Sequence, residues 1–522
     1  MKMKLYSMVS ELKAMDVVMA VVAILIMSVI KQRKLAARNR GAMLWPVLGI
    51  LPTLYINLDH IYDWVTEVLR RCGGTFPYHG ASFCGAHGVV TSDPANVEYM
   101  LKTNFANFPK GRYFRERFID FLGDGIFNAD DESWKEQRKT ASFEMHSSRF
   151  VAFSARTMTE LVHGKLLKLL KMVPDSIDLQ DVFLRFTFDN ISAAAFGVDT
   201  GCLTVNQNEV LPVVPFAKAF EDATELTLFR FIVPPFVWRI LKALNVGTEK
   251  KLRSAIEQVH EFVDKTVSDR RTELNESRGS NEKFDLLSRL VEEEQRTSAG
   301  NLRFSEKFIK DFCISFILAG RDTSSVALTW FFWLLEQNPR VESNILEELH
   351  DIINLRDIQI PDDEVVFSIE ELKKMNYLQA ALSEGLRLYP SVPIDFKEVL
   401  ADDVLPDGSP VRKGGRVMYS IYSMGRMEEI WGKDCTEFVP ERWLKNGGKF
   451  SGESHFKYTV FNAGPRLCVG KNFAYLQMKM VASAIILRYS VRPVDGQEIC
   501  PKLTTTLYMK HGMQVRFVPR NE

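Results

Sequence analysis

Phe461-Asn-Ala-Gly-Pro-Arg-Leu-Cys468-Val-Gly470, running on into Lys471-Asn-Phe-Ala-Tyr-Leu-Gln-Met-Lys479, is the stretch from which the rest of the chain can be read. Gly464, Pro465 and Gly470 interrupt regular structure, so the segment begins as a loop. Phe473, Leu476, Met480, Val481, Ala484 and Ile485 then recur at helical spacing. Cys468 therefore sits just ahead of a helix N-terminus, where unpaired N–H groups and the helix dipole favour negative charge. The expectation is a thiol of lowered pKa that ionises readily. A thiolate is one way to hold haem iron, and it pushes electron density that favours O–O cleavage. The flanking glycines would let the backbone pass close to a flat macrocycle. A nucleotide loop does not fit. Gly464 and Gly470 are one residue too far apart for G-x-x-x-x-G-K, and Asn472 stands where Ser or Thr is required.

Upstream, Ser305 to Gln337 reads as a long helix stopped by Asn338-Pro339. Phe308, Ile309, Phe312, Cys313, Phe316 and Ile317 mark one face, and the same spacing brings Gly320, Thr323, Ser324 and Ala327 onto it. Ala319-Gly-Arg-Asp-Thr-Ser324 thus puts a glycine, a hydroxyl and a neighbouring carboxylate in mid-helix. Thr can bond back to the preceding turn and bend the helix, and an acid beside an alcohol can pass protons. A local opening there would admit dioxygen and water. The alternative is a small-residue packing contact with a solvent-facing Asp322.

Ser368-Ile-Glu-Glu371 is a capping-box pattern. In the helix that follows, from about Asn376 to Pro390, Glu384 and Arg387 are i,i+3 neighbours and can pair. If buried and joined by Arg442 of Phe438-Val-Pro-Glu-Arg442-Trp443, the pair becomes a network. Nearer the N-terminus, Trp134 and Arg138 share one helix face, and an indole N–H with a guanidinium suits a carboxylate.

Taken together these segments resemble the cytochrome P-450 monooxygenases. Phe461, Gly464, Arg466, Cys468 and Gly470 match the haem signature of that family. Ala319 to Ser324 match its oxygen-helix motif, Glu384 and Arg387 its E-x-x-R, Pro440 to Arg442 its P-E-R, and Trp134 with Arg138 its W-x-x-x-R. The resemblance implies a mainly α fold with a smaller β region, haem b ligated by Cys468, and propionates held by Trp134, Arg138 and Arg466. It implies that Asp322 and Thr323 serve oxygen activation. It implies a scaffold network of Glu384, Arg387 and Arg442. Ser391 to Lys397 would turn past the haem, with Lys397 a further propionate contact. The implied reaction inserts one oxygen atom of dioxygen into a C–H bond. The chain shows no Walker loop, Rossmann fingerprint or flavin module, so electrons would come from NADPH through a separate cytochrome reductase. Gly123-Asp-Gly-Ile-Phe-Asn-Ala-Asp130 and the two motifs named first look like the plant group that hydroxylates long-chain fatty acids and alkanes, nearest its mid-chain alkane hydroxylases. The substrate implied is a small lipid: fatty acid, alkane or alcohol. Rival readings are a hydroperoxide isomerase or dehydratase working without reductase, a monooxygenase of non-lipid compounds, and a non-catalytic haem sensor.

Bulk properties agree with a globular enzyme. The 522 residues are 46% hydrophobic and 25% charged, with Lys+Arg and Asp+Glu both 66. Balanced charge gives no support for a nucleic-acid partner. The seven cysteines are scattered, which fits a reducing compartment. Val17 to Ile30 is an unbroken apolar run followed by Lys31, Arg33, Lys34, Arg38 and Arg40. It is shorter than the ~20 residues of a spanning helix, but the basic flank reads as a single membrane anchor with the body on the cytosolic side. That implies residence in the endoplasmic reticulum membrane. A cleaved signal peptide and a helix lying in the interface are the alternatives. The divisions expected are 1–40, anchor and basic flank; 41–58, a hinge around Trp45-Pro46 and Pro52; and 59–522, the haem-thiolate domain. Within the last, 229–238 is an apolar aromatic segment broken by two prolines, either a buried loop or, by the resemblance, part of a lid that dips into membrane. The polar stretch 271–282 is expected as an exposed connection.

Overall fold

The computed structural model describes residues 41–82, 85–173, 175–204, 211–276, 285–296, 305–358, 360–445 and 447–520, with residues 26–34 and a few positions before them. Helices dominate, and the sheets are small. The longest helix, Glu306–Gln337, has 32 residues, roughly 48 Å at 1.5 Å per residue. The Ser305 hydroxyl caps it by accepting from Phe308 N, and Asn338-Pro339 ends it, as the sequence predicts. Most of its residues are buried, because it passes between two apolar clusters. One includes Phe183, Trp330, Leu334, Leu378, Leu382, Val481 and Ile485. The other includes Phe188, Ile191, Phe216, Val259, Phe312 and Ile317. Leu179–Phe196 crosses this helix closely, and Asn376–Leu388 and Lys471–Arg488 also pack on it.

The first two strands are Thr75–His79 and His87–Thr91. They begin a four-stranded sheet completed far along the chain by Arg416–Ser420 and Ile394–Glu398. His87–Thr91 pairs parallel to Arg416–Ser420, in the register Gly88 to Arg416. Gly88 is required there: a Cβ would lie 1.9 Å from the Arg416 carbonyl oxygen. A second sheet joins Tyr489–Pro493, Gln514–Pro519 and Ile177–Asp178.

The capping box forms in full. The Ser368 hydroxyl accepts from Glu371 N, and the Glu371 carboxylate accepts from Ser368 N and from Arg356. The helix Gly247–Glu276 carries straight through 271–276, so the polar stretch expected as a connection is helical in its first half. Its remainder lies outside the described residues. The aromatic segment 229–238 is not a buried loop: it is a corner where the helix Pro215–Ile232 meets the helix Pro235–Leu244. In the 41–58 stretch, Leu51–Ile56 is a short helix tied down by the Trp45 indole N–H on Thr53 Oγ1 at 3.0 Å and by Ile50 N on the His79 carbonyl at 2.8 Å. Of the apolar run 17–30, the described positions are helical and continue to Lys34. Among the described residues no helix is long and apolar enough to cross a membrane. The rest of the 1–40 segment lies outside them.

Candidate active site

Cys468 stands in a loop whose shape is set by its glycine and its neighbours. Cys468 N donates to the Phe461 carbonyl at 2.8 Å, closing the loop on itself. Gly464 has φ +60°, and a Cβ there would lie 1.9 Å from the Leu101 carbonyl oxygen. That close approach to protein backbone is why this position takes no side chain. Gly470 has ordinary clearance, 3.9 Å from Cys468 Sγ and from Met145 Cε. The expected glycine cradle for a macrocycle is therefore a backbone crossing at one glycine and open space at the other. The helix Lys471–Arg488 begins three residues after Cys468, as predicted. The thiol is exposed. Its lowered pKa is not found: the desolvating surroundings raise it, and the Gly470 N–H, Arg138 and Lys471 pull it down without prevailing. Being near a helix start does not ionise this thiol; an iron ligand would, since a coordinating thiol is deprotonated outright.

Trp134 and Arg138 lie on the helix Asp131–Met145 and face the same loop. The Arg466 guanidinium stacks over the Trp134 ring, 4.5 Å from its centroid, and pairs with Asp130 at 2.5 Å. Arg466 Nε is buried without an acceptor. Among the described residues, Arg138 has no carboxylate partner; it senses Cys468 and Arg466 instead, and burial lowers its pKa. Lys110 and Lys397 both reach Asp395 at 2.7 Å. Tyr419 donates to the same carboxylate at 2.6 Å. Lys397 is fully buried, and desolvation lowers it to about 7 against the pull of Asp395. Among the described residues, the carboxylates in ion-pair contact with Lys110, Arg138, Lys397 and Arg466 are Asp130 and Asp395. The unmet Arg466 Nε–H and the positive charge of Arg138 and Lys471 beside an exposed thiol are what a group with two carboxylates and a metal would satisfy. The residues present fit haem.

Lys397 is bonded to Asp395 and also feels the Arg466 charge. That carboxylate, with Lys110, Asp130 and Tyr419, was missed from the sequence. The signal was Asp395-x-Lys397, two charges at the same pleat of one strand, Ile394–Glu398, with both side chains turned inward.

In the long helix, Thr323 Oγ1 donates to the Ala319 carbonyl at 2.7 Å, the back-bond expected. Ser391 Oγ donates to the Thr323 carbonyl at 2.6 Å, and Thr187 Oγ1 to that of Arg321 at 2.7 Å. Gly320 is a packing contact: a Cβ would lie 2.5 Å from Ile191 on the crossing helix. The alternative reading was right about the glycine and wrong about the acid. Asp322 is fully buried, with Oδ1 taking Arg321 Nη1 at 2.7 Å. Among the described residues its Oδ2 has no hydrogen-bond partner of ordinary geometry. Tyr508 lies near enough that, after burial, the Asp322 charge raises its pKa further.

The scaffold network is buried and complete. Arg387 binds Glu384 through two bonds of 2.8 Å, and neither side chain is exposed at all (0%). Arg387 also donates to the carbonyls of Gly425, Cys435 and Glu437. Arg442 Nε reaches Glu384 at 3.4 Å. Trp443 Nε1 donates to the same carboxylate at 2.8 Å, a member the sequence did not disclose. The network holds the chain just ahead of the Cys468 loop.

The model of the family described as Cytochrome P450 matches residues 40–517. The chain is 50% identical over 519 residues to "Cytochrome P450 86B1" of Arabidopsis thaliana, covering 98% of this chain and 91% of that protein. It is 40% identical over 490 residues to "Cytochrome P450 94A2" of Vicia sativa, covering 91% of each. It is 38% identical over 488 residues to "Cytochrome P450 704C1" of Pinus taeda, covering 91% of this chain and 92% of that protein.

Proposed function

The chain belongs to the cytochrome P450 family of haem-thiolate monooxygenases, and on that premise we propose that it hydroxylates a long-chain aliphatic lipid with electrons from NADPH delivered by a separate reductase. The observation that carries the reading is the exposed Cys468 thiol under the positive charge of Arg138 and Lys471, with the Arg466 Nε–H nearby buried and unmet. Cys468 ligates the iron, and Trp134, Arg138 and Arg466 hold the propionates. When bound, the haem supplies dioxygen activation. Thr323 turns its hydroxyl from the Ala319 carbonyl to deliver a proton into the site, and Asp322 restores it. Ser391 and Thr187, bonded to neighbouring helix carbonyls, keep that turn in place.

Three features support the finer points. Phe114, Phe118, Phe231 and Phe396 pack ring against ring at 4.6–6.1 Å, an apolar wall suited to an alkyl chain. An open cleft of about 560 Å³ beside Pro465, lined by Lys135, Arg138, Lys139 and His146, offers positive charge to an acidic electron donor. Phe236, Ile240 and Leu244 leave one side of the helix Pro235–Leu244 exposed (52, 54 and 66%), a face for membrane. With the basic flank after residue 30, it supports the reading that the body lies on the cytosolic side of the endoplasmic reticulum membrane.

The test is reconstitution of the haem-loaded protein with reductase, NADPH and a panel of fatty acids, alkanes and alcohols, with new hydroxyls located by mass spectrometry. Monohydroxylated lipid that requires the reductase is expected. Products only from non-lipid compounds overturn the substrate; turnover of hydroperoxides alone overturns the electron route. In the reduced protein, carbon monoxide gives a strongly red-shifted Soret band that Cys468→Ala abolishes. Thr323→Ala and Asp322→Asn lower product by about 10²-fold or more while NADPH oxidation continues.

A further inference from the structure

Between Tyr489–Pro493 and Gln514–Pro519 the chain makes an excursion whose two limbs run side by side. Lys510 N donates to the Cys500 carbonyl at 2.9 Å, Lys502 N to that of Tyr508 at 2.7 Å, and Pro501 bridges Met509. The tip reaches the candidate site: Leu507 N donates to the Ser391 carbonyl at 2.9 Å, and the Leu507 carbonyl accepts from Trp330 Nε1 at 2.6 Å. The base is held rigidly. The Gln497 amide donates to the carbonyls of Val494 and Gln514, and its oxygen accepts from Gln514 N, each at 2.9 Å. Gly512, at φ +69°, lies so close to Asp178 that a Cβ would be 2.1 Å from the carboxylate.

On this base, Glu498 and Cys500 of one limb and His511 of the other bring a carboxylate oxygen, a thiol sulfur and an imidazole nitrogen within 4.8 Å of one another. Among the described residues no hydrogen bond from outside the trio engages these atoms. Glu498 and His511 stand 3.9 Å apart, too far for a hydrogen bond. The adjacent cation, Lys510, is turned to Asp59 at 3.2 Å.

We propose that Glu498, Cys500 and His511 form a binding site for a borderline-soft divalent cation of the zinc class, with its fourth position open to water. Thiolate, imidazole and carboxylate in a three-plus-water set are donors that zinc accepts and magnesium or calcium does not favour. Bonds of about 2.0–2.3 Å require donors roughly 3.3–3.8 Å apart, a contraction that side-chain rotation on a fixed backbone supplies. Burial and the Glu498 carboxylate raise the pKa of the Cys500 thiol, favouring its proton. The cation takes the place of that proton, which leaves to buffer as the sulfur–metal bond forms. Bound, it clips the two limbs together at the base of a loop whose tip abuts Ser391 and Trp330.

The experiment uses the full-length, haem-loaded protein with Zn²⁺ alone as probe. Iodoacetamide alkylation of Cys500 is followed by peptide mass spectrometry, with Cys72 as the internal control, and calorimetry is run in buffers of different ionisation heat. Zn²⁺ is expected to protect Cys500 selectively, to bind with a buffer-dependent heat that Cys500→Ser removes, and to do neither when replaced by Mg²⁺. His511→Asn and Glu498→Gln, both on the surface, are expected to lose the protection while the Soret spectrum stays unchanged. Alkylation of Cys500 at the same rate with and without Zn²⁺, or protection that survives both substitutions, overturns the proposal.

Discussion

Glu384 is a carboxylate with no contact with water, and every donor around it compensates for that burial. Removing Arg387 leaves it uncompensated. Arg387→Leu is expected to cost about 3–5 kcal/mol in urea unfolding, and a loss below about 1 kcal/mol would show the pair to be dispensable. His163 is the opposite case, a base kept neutral. Burial, with Arg488 nearby, lowers it to about 4. An unfolded His titrates near 6.5, so between those values the unfolded chain binds the proton and the folded one does not. Stability contributed by the neutral ring is therefore complete above about pH 6.5 and lost as pH falls towards 4. His163→Gln should flatten the dependence of urea midpoint on pH in that window; an unchanged slope would mean the ring is already solvated. The sequence disclosed Glu384 and Arg387 because their spacing marks them, and Arg442 because Pro440-Glu-Arg442 resembles a family motif. It carried no mark for Trp443, whose partner Glu384 lies on a separate helix, and for Asp395 only the alternation with Lys397, since Lys110 and Tyr419 come from elsewhere in the chain.

At the scale of the element, Gly320 shows how spacing and packing diverge. The pattern put it on a buried stripe, which is correct, and suggested an opening there. The reason for glycine is instead the helix Leu179–Phe196, which crosses with Ile191 against it. No local pattern reveals which distant helix a residue will meet. Gly320→Ala gains about 1 kcal/mol of helix propensity but overpacks the crossing by about 1–3 kcal/mol. Net destabilisation is expected in thermal unfolding, with partial recovery in Gly320→Ala/Ile191→Val. A more stable single variant would show that the helices separate freely. Element identity was otherwise well marked. Ser305, Asn338-Pro339 and the Ser368 capping box all formed where their chemistry predicts. Boundaries failed where sequence was merely polar, as at 271–276, since an exposed helix and an exposed loop share a composition.

For the whole molecule, the exposed apolar positions Phe236, Ile240 and Leu244 recur every four residues on a helix whose only buried side chain is Trp238. Such a face seeks an apolar surface. Phe236→Asp/Ile240→Asp/Leu244→Asp should reduce sedimentation of a protein lacking residues 1–40 with phospholipid vesicles while leaving its Soret spectrum intact. Equal sedimentation would place the membrane contact elsewhere.

The parallel pairing of His87–Thr91 with Arg416–Ser420 has a consequence for biogenesis. A ribosome adding about 5–20 residues per second leaves the earlier strand waiting on the order of tens of seconds for its neighbour. For that interval the nascent chain presents an unpaired edge, the feature that invites misassociation. The cysteine at position 468 emerges later still, so a prosthetic group held there would be loaded near the end of synthesis or after it. Early arrest of translation should yield aggregates, with no partially active fragment.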